Sequence, residues 1–150
     1  MLVYSSSETQ KFASDLLNKL KKDQNVLALV GNLGSGKTTF TQGISCALGI
    51  SQRVVSPTFV LMRSYNIGSD PKLGSDPYSV PRFKTLYHFD LYRLSNIQEI
   101  KELGIEEIWE DPNNLVVIEW AEKVREILPK NTVWLEFRYI DEETREITMS

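Results

Sequence analysis

The sequence predicts an α/β layered domain with a mixed, mainly parallel central sheet and a C-terminal β-hairpin. Three observations predict it. Helical and strand patterns alternate through the first half of the chain. The run "LVVI", residues 115–118, is apolar at every position, which suits a central strand covered on both faces. The tail carries two strand-like runs, "TVWLEFRYI" and "REITM", on either side of the turn "DEET".

The elements follow in order. Ser7 with Gln10 reads as a capping box, and Phe12, Ala13, Leu16, Leu17 and Leu20 then recur on one helical face. "VLALV", residues 26–30, is a short apolar strand. A second helix is expected over about 37–48, with Gly49 placed to end it. "PTFVLMRSYNI" has strand composition. "GSDPKLGSDPYSVP" repeats the tetrapeptide "GSDP", and its Gly, Ser, Asp and Pro content predicts a flexible insertion at about 67–83, inside a hairpin. "KTLYHFDLY" alternates Leu86, His88 and Asp90 against Tyr87, Phe89 and Leu91, a strand period. Ser95 and Gln98 suggest a further capping box, "DPNN" a turn, and "AEKVREIL" a helix stopped near Pro129.

Bulk composition narrows the function classes. With 150 residues, 41% hydrophobic and 25% charged, one soluble domain covering 1–150 is expected. The net charge of -3 offers no broad basic field, so direct DNA binding is not expected. The single cysteine, Cys46, excludes an internal disulfide. The N-terminus lacks a basic stretch followed by an apolar one, and no apolar run reaches the ~20 residues a bilayer requires. A cytoplasmic protein is expected.

"GNLGSGKT", residues 31–38, matches G-x-x-x-x-G-K-[ST] between a predicted strand and a predicted helix. Its glycines let the backbone turn tightly and aim N–H groups inward as an anion nest, backed by a helix N-terminus. This is a P-loop, and it makes the predicted domain P-loop NTPase-like. Asn32, Leu33, Gly34, Ser35 and Gly36, with Lys37, Thr38 and Thr39, are the expected nucleotide-binding residues. Lys37 would reach the β- and γ-phosphates and the Thr38 hydroxyl would bind Mg²⁺. A nucleoside triphosphate, ATP or GTP, and Mg²⁺ are therefore the expected ligand and cofactor.

Such a site needs an acidic residue at the end of a neighbouring strand. Two compete: Asp90, ending "LYHFD", and Glu119, ending "LVVIE". The uninterrupted apolar run before Glu119 fits the sheet interior beside the P-loop strand better. Mg²⁺ accepts one or two carboxylates and otherwise keeps water, so both residues can serve. His88, the only histidine, either orients Asp90, carries a proton, or is a structural core residue. Trp120 is either core, or lines the nucleotide pocket or a partner surface. Cys46 reads as a small buried hydrophobe, and Trp109 and Trp134 as core. Among Arg53, Arg82 and Arg93 none stands out as an arginine finger, which predicts slow turnover until a partner completes the site.

"GNLGSGKTTF", "SPTF" (56–59), "HFDLYRL" (88–94), "ELGIEE" (102–107) and "IEWAEK" (118–123) occur in this order. Together they resemble the TsaE (YjeE) family, small bacterial P-loop ATPases of tRNA threonylcarbamoyladenosine synthesis. The resemblance spans nearly the whole chain apart from the "GSDP" stretch, which is longer than the family's loop, and the tail. It implies that Lys37 and Thr38 contact phosphate and magnesium. It makes Glu119 the metal-associated glutamate, with Trp120 the aromatic beside it. Asp90 would help position the attacking water, and Thr58 would belong to a switch-like loop that senses the γ-phosphate. The implied partner is the TsaB–TsaD threonylcarbamoyltransferase, through which tRNA is reached.

Two other uses of the same cradle stay open. One is a small-molecule or nucleoside kinase, with the "GSDP" loop as a lid. The other is a non-hydrolysing switch whose ATP state docks a partner. A GTPase fits less well, because the chain lacks the guanine-reading N-K-x-D.

Overall fold

The structure is a computed structural model and describes residues 1–57, 60–68 and 82–150. Its elements are β1 (Leu2–Val3), α1 (Ser6–Leu17), β2 (Val26–Val30), α2 (Lys37–Ala47), β3 (Met62–Asn66), β4 (Thr85–Asp90), α3 (Ile97–Glu102), α4 (Ile105–Glu110), β5 (Asn114–Glu119), a 3₁₀ segment (Ala121–Ile127), β6 (Val133–Tyr139) and β7 (Arg145–Met149). The seven strands form one sheet in the order β1-β7-β6-β2-β5-β4-β3. Its centre, β6-β2-β5-β4, is parallel. β3 joins β4, and β7 joins β6, in antiparallel pairs, with β1 on the outside of β7. The mixed sheet with a parallel centre and the C-terminal hairpin are as the sequence predicts.

Two apolar layers sandwich the sheet. Alternate residues of β2 and β5 divide between them. Leu27, Leu29, Leu115 and Val117 meet Phe40 and Ile44 of α2 and Ala13 and Leu16 of α1. Val26, Ala28, Val116 and Ile118 meet Ile100, Ile105, Trp109 and Val124. β5 is buried at all six positions, which is why its sequence shows no polar face. Among the described residues no helix is long and apolar enough to cross a membrane.

Several local expectations shift. The cap of α1 is Ser5, not Ser7: its Oγ accepts from the Glu8 backbone N–H, and the Glu8 carboxylate accepts from the N–H of Tyr4. Three consecutive serines offer three registers, and the one that puts a carboxylate rather than an amide in the first turn wins. Leu20 falls beyond the helix but still packs against the core. α3 is capped by Asn96 with Glu99, one residue after the Ser95–Gln98 pair expected. Gly104, at φ 71°, separates α3 from α4. "AEKVREIL" winds as 3₁₀, with Val124 outside helical geometry. The strand expected in "PTFVLMRSYNI" begins only at Met62. Cys46 is exposed rather than buried, because it lies about 200° around α2 from buried Ile44. Trp109 is core, whereas Trp134 is half-buried. The "GSDP" insertion falls largely on 69–81, outside the described residues.

α1 and α2 pack very closely at Gly43. A Cβ there would stand 2.6 Å from the Cα of Gln10 and 2.9 Å from the Cβ of Ala13. Neither neighbour is a flexible side-chain tip, so the helices must part. Gly43→Ala is expected to lower unfolding stability by about 1–3 kcal/mol, the usual range for overpacking. The denaturant midpoint reads this out, and an unchanged midpoint contradicts so tight a contact.

Candidate functional site

A cleft of about 930 Å³ opens where β2, β5 and β4 end, between the glycine-rich loop, Asp90, Glu119 and Trp120. This is the crevice beyond the carboxyl ends of parallel strands where open α/β sheets bind ligands. Its position follows from register: Leu29 pairs with Glu119, and Glu119 with Asp90, so three strand ends lie side by side.

The loop after β2 folds back tightly. Gly31, Gly34 and Gly36 have φ of 148°, 76° and 103°, which glycine adopts without steric cost. A Cβ on Gly31 would lie 2.3 Å from the Phe137 carbonyl oxygen, so β6 leaves room for nothing larger. Gly36 then caps α2 with no side-chain hydrogen bond. The first N–H groups of the helix are left for another acceptor, and its dipole favours an anion there.

Lys37 is buried. Its Nζ donates to the carbonyls of Gly31 (2.6 Å) and Asn32 (3.0 Å) and lies 4.3 Å from the centroid of the Trp120 ring. Burial pulls its pKa below the ordinary lysine value, while the carboxylates of Glu119, Glu122 and Asp90 pull the other way. Thr38, the next residue, turns its hydroxyl to Glu119 across 81 positions of sequence, at 3.1 Å from Oε1 and 3.2 Å from Oε2. Glu119 is buried as well, and Nε2 of His88 stands 2.9 Å from its Oε1.

Asp90 is half-buried and separately held. Oδ1 accepts from the Tyr92 N–H at 3.0 Å, and Oδ2 accepts from the Ser56 hydroxyl. Trp120 has φ 61°, a conformation costing a bulky residue on the order of 1 kcal/mol. The turn is tied down on both sides: Leu91 N–H donates to the Glu119 carbonyl and Lys123 N–H to that of Trp120. The Trp120 indole packs on the core and it walls the cleft beside Tyr92, ring centroids 5.1 Å apart.

The cleft brings together Leu33 to Thr39 of the loop, Asp90 and Glu119. Asn32 contributes only its carbonyl to Lys37 and does not line the cleft. Thr58 lies outside the described residues. His88 contacts Glu119 rather than Asp90. Arg82 is remote, donating to the carbonyls of Leu20, Lys21, Lys22 and Gln24. Arg53 lines a separate hollow with Cys46. Arg93 does line the cleft, and so do Ser56, Tyr92 and Arg145. Arg145 arrives from the C-terminal hairpin and has no motif around it, whereas Ser56 and Tyr92 lie within "SPTF" and "HFDLYRL".

Chemically, the cleft can hold a polyanion on amides and one ammonium, with a hydroxyl and carboxylates for a hard cation. The comparisons with known proteins agree on one family. The family model for TsaE, the threonylcarbamoyl adenosine biosynthesis protein, matches residues 3–147. The Bacillus subtilis tRNA threonylcarbamoyladenosine biosynthesis protein TsaE is 34% identical over 143 residues, 95% of this chain and 80% of that one. The protein of the same name from Treponema pallidum is 32% identical over 146 residues, covering 97% of this chain and 96% of its own. The crystal structure of Bacillus subtilis YdiB superposes with a TM-score of 0.71 at 30% identity, over 99% of this chain and 82% of that one. With the family model covering nearly its whole length and full-length relatives above 30% identity, this chain belongs to the TsaE family of tRNA threonylcarbamoyladenosine biosynthesis proteins.

Proposed function

We propose that the chain binds Mg²⁺–ATP in this cleft and hydrolyses it slowly, in support of tRNA threonylcarbamoyladenosine formation. Its partner is the TsaB–TsaD threonylcarbamoyltransferase, through which tRNA is reached. One observation carries the reading: the hydroxyl of Thr38 and the carboxylate of Glu119 converge within 3.2 Å at the mouth of an uncapped helix N-terminus.

The residues divide the work. The loop amides and Lys37 bind the phosphates. The donor set for a cation is one hydroxyl and one carboxylate, both hard oxygens. Among the described residues no three His, Cys, Asp or Glu side chains converge on one point. That suits Mg²⁺, which keeps water and phosphate oxygens as its other ligands. When bound, magnesium would neutralise charge on the phosphate oxygens. Asp90, fixed through both oxygens by Tyr92 and Ser56, orients the attacking water. Phosphoryl transfer needs little else from the protein than positioning and electrostatics.

The test is phosphate release with ATP and with GTP, each with and without the partner complex. Slow release from ATP that rises with the partner is the expected result. Release without partner stimulation removes the partner, and a phosphorylated acceptor in place of free phosphate makes the protein a kinase.

A further inference from the structure

Glu119 has a second partner that the reading above does not use. His88 sits on β4 with no exposed surface, and its Nε2 lies 2.9 Å from Oε1 of Glu119. Its other ring nitrogen, Nδ1, is buried and has no hydrogen-bond partner among the described residues. That pair of facts selects the tautomer. A hydrogen on Nδ1 would be a buried donor without an acceptor, left with its desolvation uncompensated. A hydrogen on Nε2 points at a carboxylate oxygen. The ring therefore donates from Nε2 and leaves Nδ1 as a bare acceptor.

The bond acts on a side chain that would otherwise be loose. A glutamate carries its carboxylate on three rotatable bonds, and holding it in one orientation costs side-chain entropy. The Thr38 hydroxyl alone cannot define that orientation, because it stands almost equally far from Oε1 and Oε2. The imidazole meets Oε1 only and fixes which oxygen faces the core. Asp90, two residues further along β4, has its own partners in Ser56 and Tyr92. The His88 ring thus serves one carboxylate.

We propose that His88 is a positioning residue for Glu119: its Nε2–H pins the carboxylate toward Thr38 and so sets the affinity of the site for its divalent cation. The proposal rests on the reading of Glu119 as a metal-associated residue. Groups that orient a metal-binding side chain typically change metal affinity about 10–100-fold when lost.

The experiment compares H88L, H88Q and H88N with the parent and with E119Q. Calorimetry measures binding of a non-hydrolysable ATP analogue across a Mg²⁺ titration and again in EDTA. Leucine removes the donor at similar volume. The glutamine amide nitrogen takes the place of Nε2, and that of asparagine the place of Nδ1, where no partner waits. H88L and H88N are expected to raise the half-saturating Mg²⁺ concentration about 10–100-fold, with affinity in EDTA unchanged and H88Q near the parent. Should H88L not fold, the contrast between H88Q and H88N carries the same test. Equal shifts in H88Q and H88N, or no shift in either, overturn the proposal. If E119Q shifts the Mg²⁺ dependence and the His88 variants do not, only the role of His88 falls. If E119Q does not shift it, the reading of Glu119 falls and this proposal falls with it.

Discussion

Glu119→Gln is expected to lower ATP hydrolysis about a hundredfold or more, equivalent to about 2.7 kcal/mol of barrier, while leaving the fold intact. The substitution changes charge and almost nothing else. Glutamine has the same length, and its amide oxygen can accept from His88 Nε2 while its NH₂ donates to Thr38 Oγ1. The hydrogen bonds at 2.9 Å to Oε1 and 3.2 Å to Oε2 thus keep partners, which protects stability. What disappears is the negative charge facing Thr38. A metal's contribution to phosphoryl transfer is worth several kcal/mol, and a neutral amide is a poor oxygen ligand for Mg²⁺. Phosphate release at saturating ATP, titrated with Mg²⁺, measures the loss. A variant that hydrolyses ATP at the parent rate would take Glu119 out of the cation's neighbourhood.

That prediction depends on a residue the sequence made legible, and the reason is physical. A parallel strand between two layers has no wet face, so an unbroken apolar run that ends in a carboxylate places that carboxylate at the sheet's carboxyl edge. β5 lies beside β2 as that logic requires. The glycine loop was legible for a different reason. Its geometry is set by local dihedrals, so β2 and the start of α2 fall where the motif puts them.

Contacts made across strands were harder to read. Alternation puts His88 and Asp90 on one face of β4, which suggests that they interact. Residues two apart on a strand are separated by about 6.6 Å, whereas a neighbouring strand is only about 4.8 Å away. His88 accordingly meets Glu119 on β5. One sequence does not state which strands are neighbours, so the pairing of His88 with Glu119 is not legible there although both residues are. Arg145 shows the same limit more strongly. It reaches the cleft because β7 pairs with β6, which pairs with β2, a relation no short motif records. Cys46 is a different kind of miss. Helical periodicity places it opposite Ile44, and on this helix that geometry overrides the general tendency of cysteine to be buried.

Lys37→Met is expected to abolish measurable hydrolysis, a loss of at least about 10²–10³-fold, the usual result of removing one preorganised charge-stabilising donor. It is also expected to leave the thermal midpoint unchanged or higher. The second half follows from how the lysine is held. Its Nζ bonds to two backbone carbonyls and lies against the Trp120 ring, and its hydrogen-bond partners include no carboxylate. Burial lowers its pKa despite the pull of Glu119, Glu122 and Asp90, so the folded state disfavours the charged form relative to water. A lysine whose folded pKa is lowered costs stability at any pH below that folded value. The cost fades as pH rises to the unfolded value near 10.5. Methionine has a similar length and no charge to desolvate. The difference in thermal midpoint between Lys37→Met and the parent should therefore be largest near neutrality and shrink toward pH 10. If the variant melts well below the parent at pH 7, the carbonyl bonds outweigh the desolvation. Lys37 would then be a structural clamp first and a phosphate ligand second. If the midpoint holds while hydrolysis vanishes, the ammonium is being kept in an unfavourable place for the sake of an anion.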